Sequence, residues 1–277
     1  MPLAFHSDRA EKFEQQHRNA RHYILPFIEE VRPVDGTEVL EIGCGEGGIL
    51  KAFLERGCRC TGVDLSAAKI EFAREYLRAE IDERRISFIA QDIYDPEVGA
   101  SLTDRFDLIV VKDTIEHIYG HERFLGQMRS FLREGGVVFL GFPPWRMPYG
   151  GHQQMADTTI GKLPYYHLLP RPLYRRLLKA FGESESRVEV LMEIVDTRLS
   201  IRDFEVLVRG TGYRVRHRRF YLINPIYEYK FGLKPVRQLP LLRNVPWVRD
   251  FVTTTCYYVV EPAGAPARAR LAQIRET

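Results

Sequence analysis

Hydrophobic and polar residues follow two different periods along this chain. Short apolar runs rich in β-prone residues alternate with stretches in which apolar residues recur every three or four positions, the spacing of an amphipathic helix. The runs predict five strands, over residues 39–42, 60–64, 86–92, 106–113 and 136–142. Helical patterns lie between them, over 49–54, 67–83 and 122–132. Strands that alternate with helices indicate an α/β fold with a parallel sheet and right-handed crossovers.

The pattern changes after the fifth strand. A helix over 201–209, a sixth strand over 213–223 and a seventh over 251–261 resume it, and no helix separates the last two strands, so we expect them to pair antiparallel. Two segments interrupt this order, at about 145–198 and 224–250, and both contain prolines and aromatic residues. We predict that these inserts form a cap on the sheet. Helical patterns within the first insert cover 173–180 and 186–193.

The chain divides into three parts. Residues 1–36 are predicted to form an N-terminal helical segment, with a helix over 8–31, and residues 37–262 the main domain. Residues 263–277 are rich in Ala, Arg and Pro and are predicted to be a loose tail. The N-terminal helix either lies across the opening of a ligand site or packs on the sheet, and the sequence leaves both interpretations open.

The composition suits one large domain with an inserted cap. The chain has 277 residues, 45% of them hydrophobic and 28% charged, and its net charge of +3 is too small to indicate a nucleic acid or a membrane as a partner. Its apolar runs are shorter than the roughly 18 residues that a membrane helix needs, and the first eight residues lack a basic or apolar secretion signal. The four cysteines form no C-x-x-C pair, which is typical of reduced thiols. We therefore expect a soluble, cytoplasmic protein.

The first strand runs directly into a glycine-rich turn, Gly43-Cys44-Gly45-Glu46-Gly47-Gly48. Glycine has no Cβ, so backbone N–H groups can approach a ligand closely, and a turn between a strand and a helix N-terminus is typical of nucleotide sites. Asp64 ends the second strand about twenty residues later, a spacing that suits a carboxylate binding both ribose hydroxyls. Asp92 ends the third strand. A dinucleotide site of the NAD type also uses glycines and an acid, but it does not account for Asp92, or for Glu46 within the turn.

Five motifs follow the predicted strands. They are V-L-E-I-G-C-G-E-G-G at 39–48, T-G-V-D-L-S at 61–66, A-Q-D-I at 90–93, F-D-L-I-V-V-K-D-T-I-E-H-I at 106–118 and L-R-E-G-G-V-V-F-L at 132–140. Together they resemble the class I S-adenosylmethionine-dependent methyltransferases, over about residues 37–260. The resemblance implies a three-layer, Rossmann-like α/β fold with a seven-stranded sheet in the order 3-2-1-4-5-7-6, with strand 7 antiparallel and an inserted cap.

The resemblance also implies S-adenosyl-L-methionine as the cofactor, bound across the carboxyl ends of the first four strands. At its methionine and ribose end, Asp64 would accept hydrogen bonds from both ribose hydroxyls, since a carboxylate accepts bidentately. Glu41 and the backbone carbonyl of Lys112 would receive the α-amino group. The backbone that approaches this end is that of Gly43, Cys44 and Gly45.

At the adenine end, the resemblance implies three further contacts. Leu65 would flank the ring, Asp92 would accept from the exocyclic amine, and the backbone N–H of Ile93 would bind a ring nitrogen. For Asp64, Asp92 and Glu41 the alternative is an ordinary acid at a strand end or helix cap.

Three histidines are candidates for the chemistry. Methyl transfer requires that the acceptor be aligned with the S–CH3 bond, and a hydroxyl acceptor favours a histidine base. His117, in E-H-I after the fourth strand, and His152, in G-G-H-Q after the fifth, are the predicted catalytic residues. His167 lies among tyrosines and prolines of the cap, and for all three a structural role is the alternative. Asp113 either faces the acceptor or ends its strand.

No metal is expected from the sequence. A metal-assisted mechanism of the catechol type needs a cluster of carboxylate and amide oxygens, and Asp113 and Asp157 are too isolated to indicate one.

We predict methyl transfer to a small-molecule acceptor, at a hydroxyl or carboxyl oxygen, because two aromatic-rich inserts can enclose a pocket. An RNA- or protein-directed methyltransferase is one alternative, and a non-catalytic, cofactor-binding scaffold protein is another. Arg214, Arg216 and Arg218 share one face of the sixth strand and would either dock a nucleic acid or protect an exposed strand edge from aggregation. The second interpretation is favoured, so nucleic acid is not an expected partner.

Overall fold

The computed structural model describes residues 9–243 and 245–264. Within them, one mixed sheet has eight strands in the order β3-β2-β1-β4-β5-β8-β6-β7. The strands are β1 (Glu38–Ile42), β2 (Arg59–Val63), β3 (Ile86–Ile89), β4 (Phe106–Lys112), β5 (Leu132–Phe142), β6 (Tyr213–Ile223), β7 (Val236–Arg237) and β8 (Thr255–Pro262). Strands β1 to β5 are parallel, and β8 pairs antiparallel with both β5 and β6. The predicted order is confirmed, with β8 as the predicted seventh strand and β7 as a two-residue addition beside β6.

Helices cover both faces of this sheet. They are α1 (Arg9–Asn19), α2 (Leu25–Glu29), α3 (Gly48–Leu54), α4 (Ala67–Tyr76), α5 (Arg78–Asp82), α6 (Pro96–Leu102), α7 (His121–Phe131), α8 (Arg171–Ala180), α9 (Glu185–Asp196), α10 (Ile201–Gly210), α11 (Ile226–Phe231), α12 (Pro240–Arg243) and α13 (Pro246–Val252). A wider π-helical turn, Ala20–Ile24, joins α1 to α2, so the helix predicted over 8–31 is continuous from Arg9 to Glu29 and ends two residues earlier than predicted. Of the predicted N-terminal segment and tail, residues 1–8 and 265–277 lie outside the described part.

Two apolar layers sandwich the sheet. One contains α1 to α4 and is filled by large side chains such as Phe13, Phe27 and Phe53. The other contains α7 and α10 and is filled by Phe124, Phe204 and their neighbours. Because both faces are covered, most residues of the central strands are apolar, which is why these strands appear in the sequence as runs rather than as alternating patterns.

The structure differs from the predicted elements at several boundaries. Strand β3 ends at Ile89, three residues before Asp92, and β5 begins at Leu132, four residues earlier than predicted. The predicted seventh strand began at residue 251, but Phe251 and Val252 complete α13, and β8 begins only at Thr255, which pairs with Tyr221 of β6. A short apolar run suits either a strand or a buried helix, so periodicity cannot separate the two. The helix predicted over 67–83 is divided at Leu77 into α4 and α5. Helix α6 was not predicted, although its N-cap Asp95 and the following proline are ordinary start signals.

The two inserts differ in how they pack. In the first, α8 and α9 enclose a small apolar cluster of their own, formed by Ala156, Tyr174, Leu178, Val188, Leu191, Met192 and Val195. The second contacts the N-terminal helices, since His22 Nδ1 lies 2.6 Å from the hydroxyl of Tyr229, and the hydroxyl of Tyr23 donates to Glu228. Among the described helices, none combines the length and the apolar composition needed to cross a bilayer.

Candidate active site

The ends of three strands bring the glycine turn and its acid together. Ile42 of β1 pairs with Val63 of β2 and Val111 of β4, so the residues that follow these strands share one edge of the sheet. The N–H groups of Gly43 and Cys44 donate to the Val63 carbonyl at 2.8 and 3.1 Å and fix the turn across β2. This edge is where open α/β sheets bind ligands.

Position 43 requires glycine for two reasons, its backbone conformation and the lack of room for a side chain. Its φ of +76° belongs to the left-handed region, and a Cβ at this position would lie 2.3 Å from Thr114 Oγ1. Thr114 follows β4, so the glycine turn is in close contact with the segment that carries Asp113, Glu116 and His117. The side chain of Cys44 is buried, and a Cβ on Gly62 would lie 2.8 Å from its sulfur. Cys44 therefore presents only its backbone to the ligand edge.

Asp64 is held in place by the turn that it faces. Its Oδ2 accepts from the Gly45 N–H at 2.9 Å and its Oδ1 from the Ser66 N–H at 2.8 Å. The residue is half-buried, so the carboxylate remains accessible on its outer side. Two backbone donors on a partly exposed carboxylate orient it toward the sheet edge, which suits the predicted role with a pair of hydroxyls.

Glu41 lies below the turn and is almost fully buried, with 1% of its surface exposed. Its Oε2 has no hydrogen-bond partner in the described part of the chain. Burial, with the nearby negative charge of Asp64, raises the pKa of this carboxyl well above its ordinary value. A buried acid without a partner is costly, and a bound ammonium group would supply the missing charge.

The predicted adenine residues lie beyond β2 and β3. Leu65 is 73% exposed and Asp92 is also exposed, while Ile93 is buried and its carbonyl accepts from the Gln127 side chain. One oxygen of Asp92 accepts from the Tyr94 N–H at 2.9 Å. An exposed leucine beside the ordered acid Asp64 gives this end an apolar surface on which a flat ring can lie.

Lys112 has contacts beyond its predicted role, which uses only its carbonyl. That carbonyl accepts from Thr114 Oγ1 at 3.0 Å, and the buried ammonium group forms an ion pair with Asp113. The side chain passes over Gly141 of β5, where a Cβ would lie 2.6 Å from Lys112 Cδ. Lys112 therefore neutralises the acid that follows β4, while its role toward an α-amino group stays a prediction.

The two predicted catalytic histidines are neighbours. The rings of His117 and His152 lie 5.1 Å apart between centroids, although they follow different strands. Glu116 joins them, because donor atoms of Glu116, His117 and His152 all lie within 4.8 Å of one another. We call these three residues the Glu-His-His cluster. Glu116 was not singled out from the sequence, although it adjoins His117 in the E-H-I motif.

Burial sets the protonation of this cluster. Partial desolvation of its ring lowers the pKa of His117, although much of this residue is exposed, and burial with the positive charge that His117 can carry lowers the pKa of His152 to about 4. Burial and the charge of Asp113 raise the pKa of Glu116 to about 8. His152 and Glu116 are therefore uncharged near neutral pH, and both imidazoles offer free lone pairs.

The cap contacts the cluster through a hydrogen bond. The buried hydroxyl of Thr197, after α9, donates to the Glu116 carbonyl at 2.6 Å. His152 itself has a left-handed φ of +57°. Tyr227 of α11 is half-buried, and its pKa is raised by burial and by the charges of Asp113 and Tyr149. Parts of both inserts thus border this region.

His167 has a structural role. It is fully buried, Gln153 Nε2 donates to its Nδ1, and its Nε2–H donates to the Trp145 carbonyl at 2.7 Å. With both ring nitrogens satisfied, it offers nothing to a ligand. Gln153 therefore orients His167. Gly151 leaves space for that ring, because a Cβ at residue 151 would lie 2.3 Å from the Cβ of His167.

The other predicted features lie apart from the cluster. Asp157 accepts from Arg187 and Ser184 within the cap, so it has no part in a site with Asp113. The arginines of β6 are in ion pairs, Arg214 and Arg216 with Glu261, and Arg218 with Glu205. Paired arginines offer less charge to phosphates than the sequence alone implies.

The sequence and structure resemble known proteins. Residues 13–217 match the family model described as a methyltransferase domain. A ubiquinone biosynthesis O-methyltransferase of Coxiella burnetii is 31% identical over 147 residues, which is 53% of this chain and 58% of that protein. Another from Leptothrix cholodnii is 28% identical over 205 residues, covering 73% and 75%. A trans-aconitate 2-methyltransferase of Paracidovorax citrulli is 26% identical over 181 residues, covering 57% and 64%. The chain thus spans less than two thirds of the length of some of these relatives.

Solved structures share the fold. A geranyl diphosphate C-methyltransferase from Streptomyces coelicolor, in complex with Mg²⁺, geranyl diphosphate and S-adenosyl-L-homocysteine, superposes with a TM-score of 0.54 at 13% identity, covering 86% of this chain and 78% of that one. A putative methyltransferase from Haloferax volcanii, in complex with the Trm112 methyltransferase activator, gives 0.55 at 16% identity and covers 94% and 96%.

Proposed function

Because the chain belongs to the class I S-adenosylmethionine-dependent methyltransferases, we propose that it methylates an oxygen atom of a small-molecule acceptor. The family was inferred from the sequence motifs and is confirmed by the match over residues 13–217 and by the sheet order. The chain is a methyltransferase, and its cofactor is S-adenosyl-L-methionine. When bound, this cofactor supplies a methyl group activated by a sulfonium.

The residues at the sheet edge fit that cofactor. Glu41 is a buried acid that lacks a cation, Asp64 is a carboxylate pre-oriented by Gly45, and Leu65 is an exposed apolar surface. An α-amino group, a ribose and an adenine ring would satisfy these three in turn. In this proposal the remaining predicted contacts come from Gly43, Cys44, Asp92, Ile93 and Lys112.

The observation that carries the proposed acceptor chemistry is the position of the Glu-His-His cluster. Thr114 contacts the glycine turn, and Glu116 and His117 lie two and three residues later in the same turn of 3-10 helix, so their lone pairs lie close to the cofactor edge in sequence. A hydroxyl acceptor must lose its proton, and His117 and His152 are neutral imidazoles able to accept it. An amine or carbon acceptor has less need of such a pair.

A small acceptor is supported by the enclosure of the cluster. Thr197 of the first insert donates to Glu116 of the cluster. Tyr227 and Lys230 of the second insert are half-buried and interact with the charge of Asp113, which also acts on Glu116. The names of the O-methyltransferase and trans-aconitate methyltransferase relatives are consistent with a small oxygen acceptor. The ion-paired arginines of β6 weigh against an RNA acceptor.

The test is a product analysis. The chain would be incubated with the cofactor and a panel of phenols, sugars and carboxylic acids, and tandem mass spectrometry would locate the new methyl group. We expect a methyl ether or ester, and less product with Asp64→Ala when the cofactor is limiting. Products methylated solely at nitrogen or carbon, or activity confined to RNA or protein, would contradict the proposal.

A further inference from the structure

We propose that Glu116, His117 and His152 hold a divalent first-row transition-metal ion, which binds the acceptor oxygen. This inference rests on the proposed function for its purpose, but the site itself stands on geometry. It assigns the lone pairs of the two histidines to a cation rather than to the acceptor's proton. It also revises the expectation of no metal, which considered only Asp113 and Asp157.

The first observation is the arrangement of donor atoms. One carboxylate oxygen and two imidazole nitrogens lie within 4.8 Å of one another. Metal–ligand bonds of about 2.0–2.2 Å place such atoms on one ion after small side-chain rotations. The three residues come from the segments after β4 and β5, which are joined at this edge by the N–H of Asp113 donating to the Gly141 carbonyl at 2.8 Å.

The second observation is an unsatisfied buried acid. Glu116 is only 4% exposed, and neither of its carboxylate oxygens has a hydrogen-bond partner in the ranges that the structure describes. The Nδ1 atom of His152 is also buried and without a partner there. Buried polar groups are nearly always hydrogen-bonded, so three unsatisfied atoms on two residues of the Glu-His-His cluster indicate an absent ligand. His167, with both nitrogens bonded, shows what a purely structural histidine looks like in the same fold.

The donor set selects the class of ion. Imidazole nitrogen suits Zn²⁺, Fe²⁺, Ni²⁺ and Cu²⁺, whereas Mg²⁺, Ca²⁺ and Mn²⁺ prefer oxygen ligands. Three protein ligands leave at least one coordination position open, as catalytic metal sites require. His117 is exposed, so the open position is accessible from the acceptor side.

Methyl transfer to a metal-bound hydroxyl needs no co-reactant besides the cofactor. A hydroxyl bound to the ion through its oxygen becomes more acidic and releases its proton to solvent. An oxygen lone pair then forms the bond to the methyl carbon while the carbon–sulfur bond breaks, and that electron pair stays on sulfur. The products are the methyl ether, S-adenosylhomocysteine and one proton.

The test uses the metal alone. The full chain would be stripped with a chelator and titrated with Co²⁺, whose visible absorption reports nitrogen and oxygen ligation, and with Zn²⁺ by calorimetry. We expect one equivalent to bind, and affinity to fall at least about tenfold in Glu116→Gln and His152→Asn. His22→Asn removes an exposed histidine outside the cluster and should bind Co²⁺ normally. S-adenosylhomocysteine binding would verify that each variant is folded.

The two proposals fail in different ways. Absence of a Co²⁺ band in the folded chain, or equal binding by the cluster variants, overturns the metal site even if oxygen methylation is observed. Binding that depends on the cluster, without methylation of any oxygen, upholds the metal site and counts against the proposed function. With an acceptor identified, loss of methylation after chelation and its recovery with Zn²⁺ or Fe²⁺ would show that the bound metal supports the proposed methylation.

Discussion

Gly43 and Thr114 approach so closely that a Cβ on the glycine would lie 2.3 Å from the threonine hydroxyl oxygen. This contact joins the turn after β1 to the segment after β4, and so joins the cofactor edge to the Glu-His-His cluster. A substitution at either residue should therefore change both the cofactor edge and the Glu-His-His cluster.

Gly43→Ala should therefore lower affinity for S-adenosylhomocysteine by more than about tenfold, measured by calorimetry. Gly36→Ala is the matched control, because Gly36 also has a positive φ, of +69°, but no atom lies within 4 Å of the position that its new methyl group would occupy. Both variants should lose about 1–2 kcal/mol of stability from backbone strain. Removing the threonine hydroxyl and methyl in Gly43→Ala/Thr114→Ala should restore part of the affinity. Equal affinity in both single variants would refute the steric argument.

Asp64→Ala should weaken S-adenosylhomocysteine binding by about 30- to 100-fold, since it removes a charge and the acceptor of two backbone hydrogen bonds. Asp95→Ala is a suitable comparison. It also removes a carboxylate that accepts a backbone N–H at 2.9 Å, but at the start of α6. That variant should lose about 1 kcal/mol of stability and keep its affinity. A similar loss of affinity in both would show that Asp64 acts only on the fold.

Glu41→Gln should separate binding from stability. The folded pKa of Glu41 lies above its unfolded value, so its contribution to stability is full below about pH 4.5 and declines as pH rises toward the folded pKa. The variant should therefore be at least as stable as the parent at pH 8 in urea unfolding, with a smaller decline between pH 5 and 8. Its cofactor affinity should nevertheless fall, because the neutral amide cannot balance an ammonium. Unchanged affinity would remove Glu41 from the site.

His167 makes the cap sensitive to acid. Burial lowers its pKa to about 4, below the unfolded value of about 6.5, so the stability it contributes is present above pH 6.5 and is lost as pH falls toward 4. At pH 5 the loss is at most about 2 kcal/mol. His167→Asn should be less stable than the parent at pH 7, and the difference should shrink at pH 5. A constant difference in unfolding free energy would mean that His167 titrates normally.

The sheet was predictable because each central strand is buried on both faces and appears as a continuous apolar run. Apolar runs also occur at the ends of buried helices. The start of the last long strand was therefore placed too early, at Phe251, because Phe251 and Val252 are apolar residues that end α13. Strand β7 has only two residues, too few to show a period.

The site was predictable to the extent that parallel strands end at one edge. Gly43 and Asp64 follow adjacent strands, so their proximity follows from strand order. Glu116 was missed because the sequence treats His117 and His152 as competing bases, and the path of the loop after β5 decides that they are neighbours. A carboxylate beside one histidine of a candidate pair was the available signal. The position of Lys230 depends on how α11 packs against the rest of the chain, and this packing cannot be predicted from the local sequence pattern.

The cap unit of α8 and α9 has an apolar cluster of its own, and the Thr197 hydroxyl ties its end to Glu116. A module with an independent interior can be exchanged during evolution without disturbing the sheet that binds the donor. Its attachment to the acceptor end means that such an exchange would retune which molecules are methylated while leaving the donor unchanged.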